Sequence, residues 1–81
     1  MTTTLRLPSR TPGRAPAAWT LARAIAVDVG RPLSWVTDRT RRQMVVDLGS
    51  TDPETVAASC RLHIPNGITY EIHPAPPTEG A

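Results

Sequence analysis

The chain contains no lysine, and all nine of its basic residues are arginines. This bias is typical of a GC-rich genome, so we do not interpret it as a functional choice. The formal net charge is +2. The excess lies at the N-terminus, where Arg6, Arg10 and Arg14 have no acid near them, while six arginines balance six acids between positions 15 and 73. The basic balance by itself therefore gives only weak support for a nucleic-acid partner.

Cysteine is almost absent, since Cys60 is the only one among 81 residues. No disulfide can form within the chain, and a lone thiol fits a reducing compartment, so we expect a cytoplasmic protein. A domain of this size buries a limited fraction of its surface. Self-association is a common way to stabilise so small a core, and we expect a homodimer or a form bound to another protein.

Long apolar runs are also missing. The longest candidate, residues 15–29, is interrupted by Arg23 and Asp28, and a membrane-spanning helix needs about 20 predominantly apolar residues. The N-terminus lacks the apolar centre of a secretory signal. We therefore expect no membrane association.

The clearest structural pattern is a pair of alternating segments on either side of Pro65, Asn66 and Gly67. These three residues suit a three-residue hairpin loop with a bulge. Closing the loop on Ile64 and Ile68 makes one face apolar, with the pairs Leu62 and Tyr70, and Cys60 and Ile72. The alternation predicts strands at residues 55–64 and 68–73.

The predicted fold is α+β. One helix at residues 16–29 packs on a four-stranded antiparallel meander formed by residues 33–38, 43–48, 55–64 and 68–73, with a possible N-terminal edge strand at 2–7. Gly30 and Pro32 give the helix a strong stop, although β-branched residues near its end also permit a strand. The predicted core includes Leu33, Trp35 and Leu62.

An alternative reading gives a ferredoxin-like βαββαβ layout with a second helix at residues 53–63. Asp52 is a good N-cap, Pro53 suits the first helical position, and Val56 and Cys60 begin a short apolar stripe. The alternation through Ile64 covers more residues, so the strand is preferred.

The organisation expected from these patterns has three parts. Residues 1–15 form an N-terminal edge strand and a flexible basic connector, residues 16–73 form one small α+β domain, and residues 74–81 form a disordered Pro-rich tail.

No residue set stands out as a catalytic, cofactor or metal site. The predicted register places Cys60 on the apolar face and both His63 and His73 on the polar face, and there are too few further ligands to complete a zinc site. The acids are scattered, and no Gly-rich phosphate loop occurs. The sequence therefore favours a protein that is not an enzyme and needs no cofactor.

Two hypotheses about function remain. The first is a small protein-interaction or regulatory accessory module, which binds another protein or a second copy of itself through a sheet edge or through Trp19 and Val27, apolar residues expected on the exposed helix face. The alternative is a nucleic-acid-binding protein that uses a hairpin tip and a basic N-terminal arm. The tip comprises Arg39, Arg41 and Arg42, and the arm comprises Arg6, Arg10 and Arg14.

Overall fold

The computed structural model describes residues 2–75, which form four strands and two helices. The elements are β1 (Thr2–Pro8), α1 (Ala18–Val29), β2 (Trp35–Asp38), β3 (Gln43–Asp47), α2 (Pro53–His63) and β4 (Glu71–Ala75). The predicted disordered tail begins inside β4, and its remainder from position 76 lies outside the described residues.

The four strands form one antiparallel sheet in the order β2-β3-β1-β4. The α+β class and a four-stranded antiparallel sheet are therefore confirmed, but the predicted meander is wrong, because β1 lies between β3 and β4. The element order is strand, helix, strand, strand, helix, strand, which is the ferredoxin-like layout that the sequence offered as its alternative.

The strand predicted at residues 55–64 is wrong, because this segment lies in α2. Asp52 caps the helix by accepting a hydrogen bond from the Glu54 backbone N–H at 3.0 Å, and Pro53 occupies the first turn. The Asp52 cap and Pro53 fix where the helix starts, whatever the spacing of the apolar side chains that follow. Val56 and Cys60 are buried one turn apart, whereas Leu62, a predicted core residue, is 78% exposed.

The hairpin predicted around residues 65–67 is also wrong, although a turn does occur there. The Ile68 N–H donates to the Pro65 carbonyl at 3.4 Å, and Gly67 adopts the left-handed conformation with φ 97°. The turn joins α2 to β4 instead of two strands. The predicted pairing of Cys60 with Ile72 therefore does not form, since Ile72 lies opposite Leu5.

The N-terminal strand lies in the interior of the sheet and not at its edge. Residue Leu5 of β1 lies opposite Val46 of β3 on one side and Ile72 of β4 on the other. Leu5 and Leu7 are fully buried beneath the helices. The segment was expected at an edge because only two leucines form its apolar face. It pairs with a strand on each side, so β1 is part of the core.

The predictions of the helix α1 and of paired strands β2 and β3 are confirmed. The strand predicted at residues 68–73 is β4, which begins only at Glu71, and Leu33, a predicted core residue, is 37% exposed. α1 begins at Ala18, two residues later than the predicted start, and ends before Gly30, which takes a left-handed conformation at φ 75°. It packs over β1 and β3, while α2 contacts α1 and β4. The largest fully buried side chains are Leu5, Leu7, Ile25, Leu48, Val46, Val56, Thr3 and Cys60.

Candidate functional site

β2 is one edge of the sheet, and its outer side has no partner within residues 2–75. The Asp47 N–H donates to the Ser34 carbonyl at 2.8 Å, so residue 34 forms a hydrogen-bonded pair with β3. Such pairs alternate along an antiparallel ladder. The N–H and C=O groups of Trp35 and Thr37 therefore point away from β3, toward the open edge.

An apolar surface lies beside this edge on the side of the sheet that carries the helices. Trp35 lies opposite buried Val46 and so faces the helix layer, yet it is 48% exposed because α1 packs over β1 and β3. Trp19, in the first turn of α1, is 54% exposed. Both indoles line one cavity of about 290 Å³, with Met44 and Thr37.

A second cavity, of about 640 Å³, continues along the same edge toward the hairpin tip. Arg10, Arg39 and Arg42 line it, and it shares Ser9 and Thr37 with the tryptophan cavity. We call the two cavities together the β2 groove. It has an aromatic end and a cationic end, and free backbone groups lie between them.

The three arginines of the groove, Arg10, Arg39 and Arg42, have no ion-pair partner among the residues that the structure describes. Asp38, the acid closest to them in sequence, is already engaged, because it accepts from Arg6 at 3.2 Å and from the Arg41 backbone N–H at 3.1 Å. The cationic end is therefore complementary to an anionic ligand.

The backbone of Arg42 adopts an unusual conformation at this site. Its φ of 54° lies in the left-handed region, and it is the only residue other than glycine with a positive φ among those described. An L-residue pays roughly 1–2 kcal/mol for this conformation, which glycine adopts freely. An arginine in this position is consistent with a role for its side chain.

The remaining arginines of the predicted nucleic-acid surface do not join the groove. Arg6 projects from the opposite, helix-free face of the sheet, since it alternates with buried Leu5 and Leu7. Arg14 and Arg41 are exposed but do not line the arginine cavity. The structure thus brings Arg10 from the predicted arm together with Arg39 and Arg42 from the tip, and leaves out the other three.

Val27 is 73% exposed, but it lies at a different place from Trp19. It lines a shallow cavity between the helices with Arg23 and His63, whose Nε2 lies 3.6 Å from the Asp28 carboxylate. The two apolar residues predicted on one helix face therefore belong to separate surfaces. Only Trp19 lies at the β2 groove.

The helix-free face of the sheet carries a polar network. Gln43 lies between Arg6 at 3.3 Å and Glu71 at 3.4 Å, and Glu71 bonds His73 at 3.0 Å. The bond with His73 lowers the pKa of the Glu71 carboxyl, with help from Gln43. The backbone N–H of Arg41 lowers the pKa of Asp38, with help from Arg6. These side chains bond to one another, although the buried Nε of Arg6 has no hydrogen-bond partner among the described residues.

Cys60 is fully buried, and burial raises the pKa of its thiol to about 11. A nucleophilic cysteine needs the opposite, a lowered pKa and exposure. Within residues 2–75, no three His, Cys, Asp or Glu side chains come together as candidate metal ligands. The predicted hairpin, which placed Cys60 and the two histidines on opposite faces, does not form. The burial of Cys60 is now the evidence against a nucleophilic or metal-binding role for its thiol.

Comparison with known proteins gives no relationship on which to base a function, since no family model, curated protein or solved structure matches the chain. In the described part of the chain, neither helix is long and apolar enough to cross a membrane.

Sequence reasoning missed the groove because it placed Trp35 in the core and put Arg10 in a connector. The signal that could have found it is positional: Pro8 lies opposite Gln43, so Arg10 follows β1 beside the loop that contains Arg39 and Arg42. Reading this signal requires the pairing of β1 with β3, which no local pattern shows.

Proposed function

We propose that this protein is a small non-enzymatic interaction module that binds another polypeptide by adding its strand to the free edge of β2. The observation that carries the proposal is the outward direction of the Trp35 and Thr37 backbone groups beside two half-exposed tryptophans. In strand addition, main-chain hydrogen bonds supply affinity, and pockets for alternate side chains supply specificity. A regulatory or accessory role in the cytoplasm is part of the same proposal.

The edge has few of the features that normally block such pairing. Natural edge strands are guarded by charges, prolines or bulges. In β2 the only charged residue is Asp38 at its end, Val36 is largely exposed and Trp35 is half exposed. The exposed halves of the two tryptophans together amount to roughly 200 Å² of area, worth about 5 kcal/mol before the costs of association. Those costs are at least of similar size, so main-chain hydrogen bonds along the edge have to supply the net affinity.

Photo-crosslinking tests the proposal. A benzophenone amino acid replaces Val36, which is 65% exposed on the edge strand, and a control carries it at Leu62 on α2, which is 78% exposed. We expect crosslinks from position 36, either to a second copy in purified protein or to a partner in native lysate. No specific crosslink is expected from position 62.

A second substitution makes the test specific for strand addition. Thr37→Pro deletes an N–H that points away from β3, so the fold should survive, as proline is tolerated on edges. We expect the crosslink to disappear in Thr37→Pro while urea unfolding remains cooperative. Crosslinks that persist in a folded Thr37→Pro protein, or that are equal at positions 36 and 62, would contradict strand addition.

A second candidate function, binding of single-stranded nucleic acid, is favoured by one observation. Arg10, Arg39 and Arg42 converge beside Trp19 and Trp35, and cationic grooves with exposed aromatics bind single strands by phosphate contact and base stacking.

Gel-shift titrations at several salt concentrations test this candidate. If three phosphate contacts are made, replacing the three arginines by glutamine should reduce the slope of log affinity against log salt by about 2. Arg61→Gln is the matched control, because Arg61 is exposed on α2 and does not line the arginine cavity. No binding at low salt would exclude this function.

A further inference from the structure

We infer that the β2 groove takes an extended acidic-apolar segment of another protein, in which an Asp or Glu precedes a large apolar residue by four positions. The inference rests on the proposed function, because it names the chemistry of the strand that β2 would accept. It commits to an orientation and a spacing, and both can be tested.

The cationic end of the groove determines the acidic residue. Arg10, Arg39 and Arg42 line one cavity, and none of them belongs to the ion pairs of residues 2–75. Arginine binds carboxylates through paired N–H donors, and such charge-assisted bonds are stronger than neutral ones. Because Arg6 and the Arg41 N–H already engage Asp38, the described residues offer these arginines no free acid nearby, and a carboxylate of the ligand is the anion we expect there.

The aromatic end determines the apolar residue and its spacing. Trp35 and Thr37 face the helix layer because they lie opposite Val46 and Met44, and Arg39 is the first residue of the turn that follows β2. Strands advance about 3.3 Å per residue, so Arg39 lies at most about 13 Å from Trp35, and an added strand that runs past the end of β2 would lie beside it. An added strand presents alternate side chains to this face, and the residues opposite Arg39 and Trp35 are then four apart.

The direction of the added strand follows from the sheet, in which every neighbouring pair of strands is antiparallel. A strand that continues this pattern runs opposite to β2. Its residue beside Arg39 therefore comes before its residue beside Trp35, which gives the order acidic residue first and apolar residue four positions later.

A second copy of the chain does not supply the required acid. In an antiparallel two-fold pairing of β2 that is centred on residue 35, 36 or 37, the residue opposite Arg39 is Arg31, Leu33 or Trp35 of the other copy. None of these is acidic. The arginine cavity would then stay without a counter-charge, so a different protein is the better occupant.

Nucleic acid fits the arginines and indoles but makes no use of the outward N–H and C=O groups between them. An extended peptide uses all three features. The extended peptide is therefore the favoured ligand, and an oligonucleotide is the competing ligand in the test.

The test is a titration of the full chain with capped seven-residue peptides. The first peptide has threonine at its odd positions and glutamate, valine and leucine at its second, fourth and sixth positions. One control has glutamine for glutamate, and the other has the reversed sequence. Because Trp19 and Trp35 are the only tryptophans in the chain, their intrinsic emission reports occupation of the groove directly.

We expect the glutamate peptide to bind about tenfold more tightly than the glutamine peptide, which corresponds to about 1.4 kcal/mol, because a charged carboxylate accepts stronger hydrogen bonds from arginine than a neutral amide does. This preference should vanish in the protein Arg39→Gln with Arg42→Gln. It should remain in Arg41→Gln, a change in the same loop but outside the cavity. The reversed peptide should bind more weakly, and Thr37→Pro should weaken all three.

Equal binding of the glutamate and glutamine peptides, or of the forward and reversed peptides, would overturn the inference. Binding of oligothymidylate with no binding of any peptide would also overturn it and assign the groove to nucleic acid. If the peptides fail while the crosslink from position 36 still depends on Thr37, strand addition stands and only the acidic-apolar chemistry is wrong. If both fail, the proposed function is wrong as well.

Discussion

The position of β1 inside the sheet makes a strong prediction about two leucines. Leu5 is fully buried between Val46 and Ile72, whereas Leu62 on α2 is 78% exposed. Truncating a fully buried leucine to alanine costs 2–5 kcal/mol, and we expect about 3 kcal/mol for Leu5→Ala. Surface substitutions usually change stability by less than about 0.5 kcal/mol, and this is the expectation for Leu62→Ala.

These costs are large relative to the stability of so small a domain. At roughly 0.05–0.15 kcal/mol per residue, a chain of this length has about 4–12 kcal/mol of unfolding free energy. With a urea m-value of about 1 kcal/mol/M, Leu5→Ala should lower the unfolding midpoint by about 3 M, and Leu62→Ala should barely move it.

Urea unfolding followed by circular dichroism and by tryptophan emission measures both variants under the same conditions. The meander with an edge strand at residues 2–7 and a core strand at 55–64 makes the opposite prediction, since it buries Leu62 and leaves Leu5 at the border. A larger fall in the urea midpoint for Leu62→Ala than for Leu5→Ala would therefore refute the position of β1 inside the sheet and the helix α2 at residues 53–63.

Four further outcomes are expected. Asp52→Ala should lower the unfolding free energy by about 1 kcal/mol in urea titrations because it removes the cap of α2, and Asp52→Asn should preserve it. Cys60, with its thiol pKa raised from 9.0 to about 11, should react with a disulfide reagent at pH 8 at least about 100-fold more slowly than in the urea-unfolded chain. Arg42→Gly should raise the urea midpoint, because φ 54° favours glycine, and it should weaken ligand binding at the groove. The lowered pKa values of Asp38 and Glu71 mean that the folded state binds fewer protons than the unfolded state, so their stabilisation is complete above about pH 4.5 and is lost as the pH falls. Between pH 6 and pH 3.5, the urea midpoint of the Glu71→Gln protein should therefore fall by less than that of the unmodified chain.

Local signals with a defined mechanism predicted the structure well. Gly30 ends α1 with a left-handed residue, as a glycine after a helical stripe indicates. The charged loop between two short alternating segments is a hairpin connection. In both cases the residues concerned act on their own backbone, so no tertiary information is needed.

Periodicity alone failed at residues 55–64, where two patterns overlap. Val56, Ala58, Cys60, Leu62 and Ile64 alternate, but only Val56, Cys60 and Ile64, spaced by four, are buried. Ala58 and Leu62, both exposed in α2, extended the apparent alternation and so favoured the strand. The decisive information was the cap at Asp52, a short-range hydrogen bond that outweighs a count of apolar positions.

The groove could not be predicted from local signals because its parts come from three separate segments. Trp19 lies in α1, Trp35 and Arg39 belong to β2 and its loop, and Arg10 follows β1. Their proximity depends on β1 pairing with β3 and on α1 lying over these two strands. A sequence pattern identifies each residue type but does not determine which distant segments become neighbours.

Three departures from ordinary local rules meet at this one edge. Trp35 faces the helix layer yet stays half exposed, the backbone between the tryptophans and the arginines has free hydrogen-bonding groups, and Arg42 adopts a conformation better suited to glycine. Isolated exposed residues such as Leu62 are common on any surface and need no explanation. Departures that cluster are different, because sequences that are otherwise locally consistent tend to violate these rules at functional sites. The same clustering is what makes the Arg42→Gly experiment informative, since a more stable protein with weaker binding would show that the arginine side chain at this strained position contributes to ligand binding at a cost in stability.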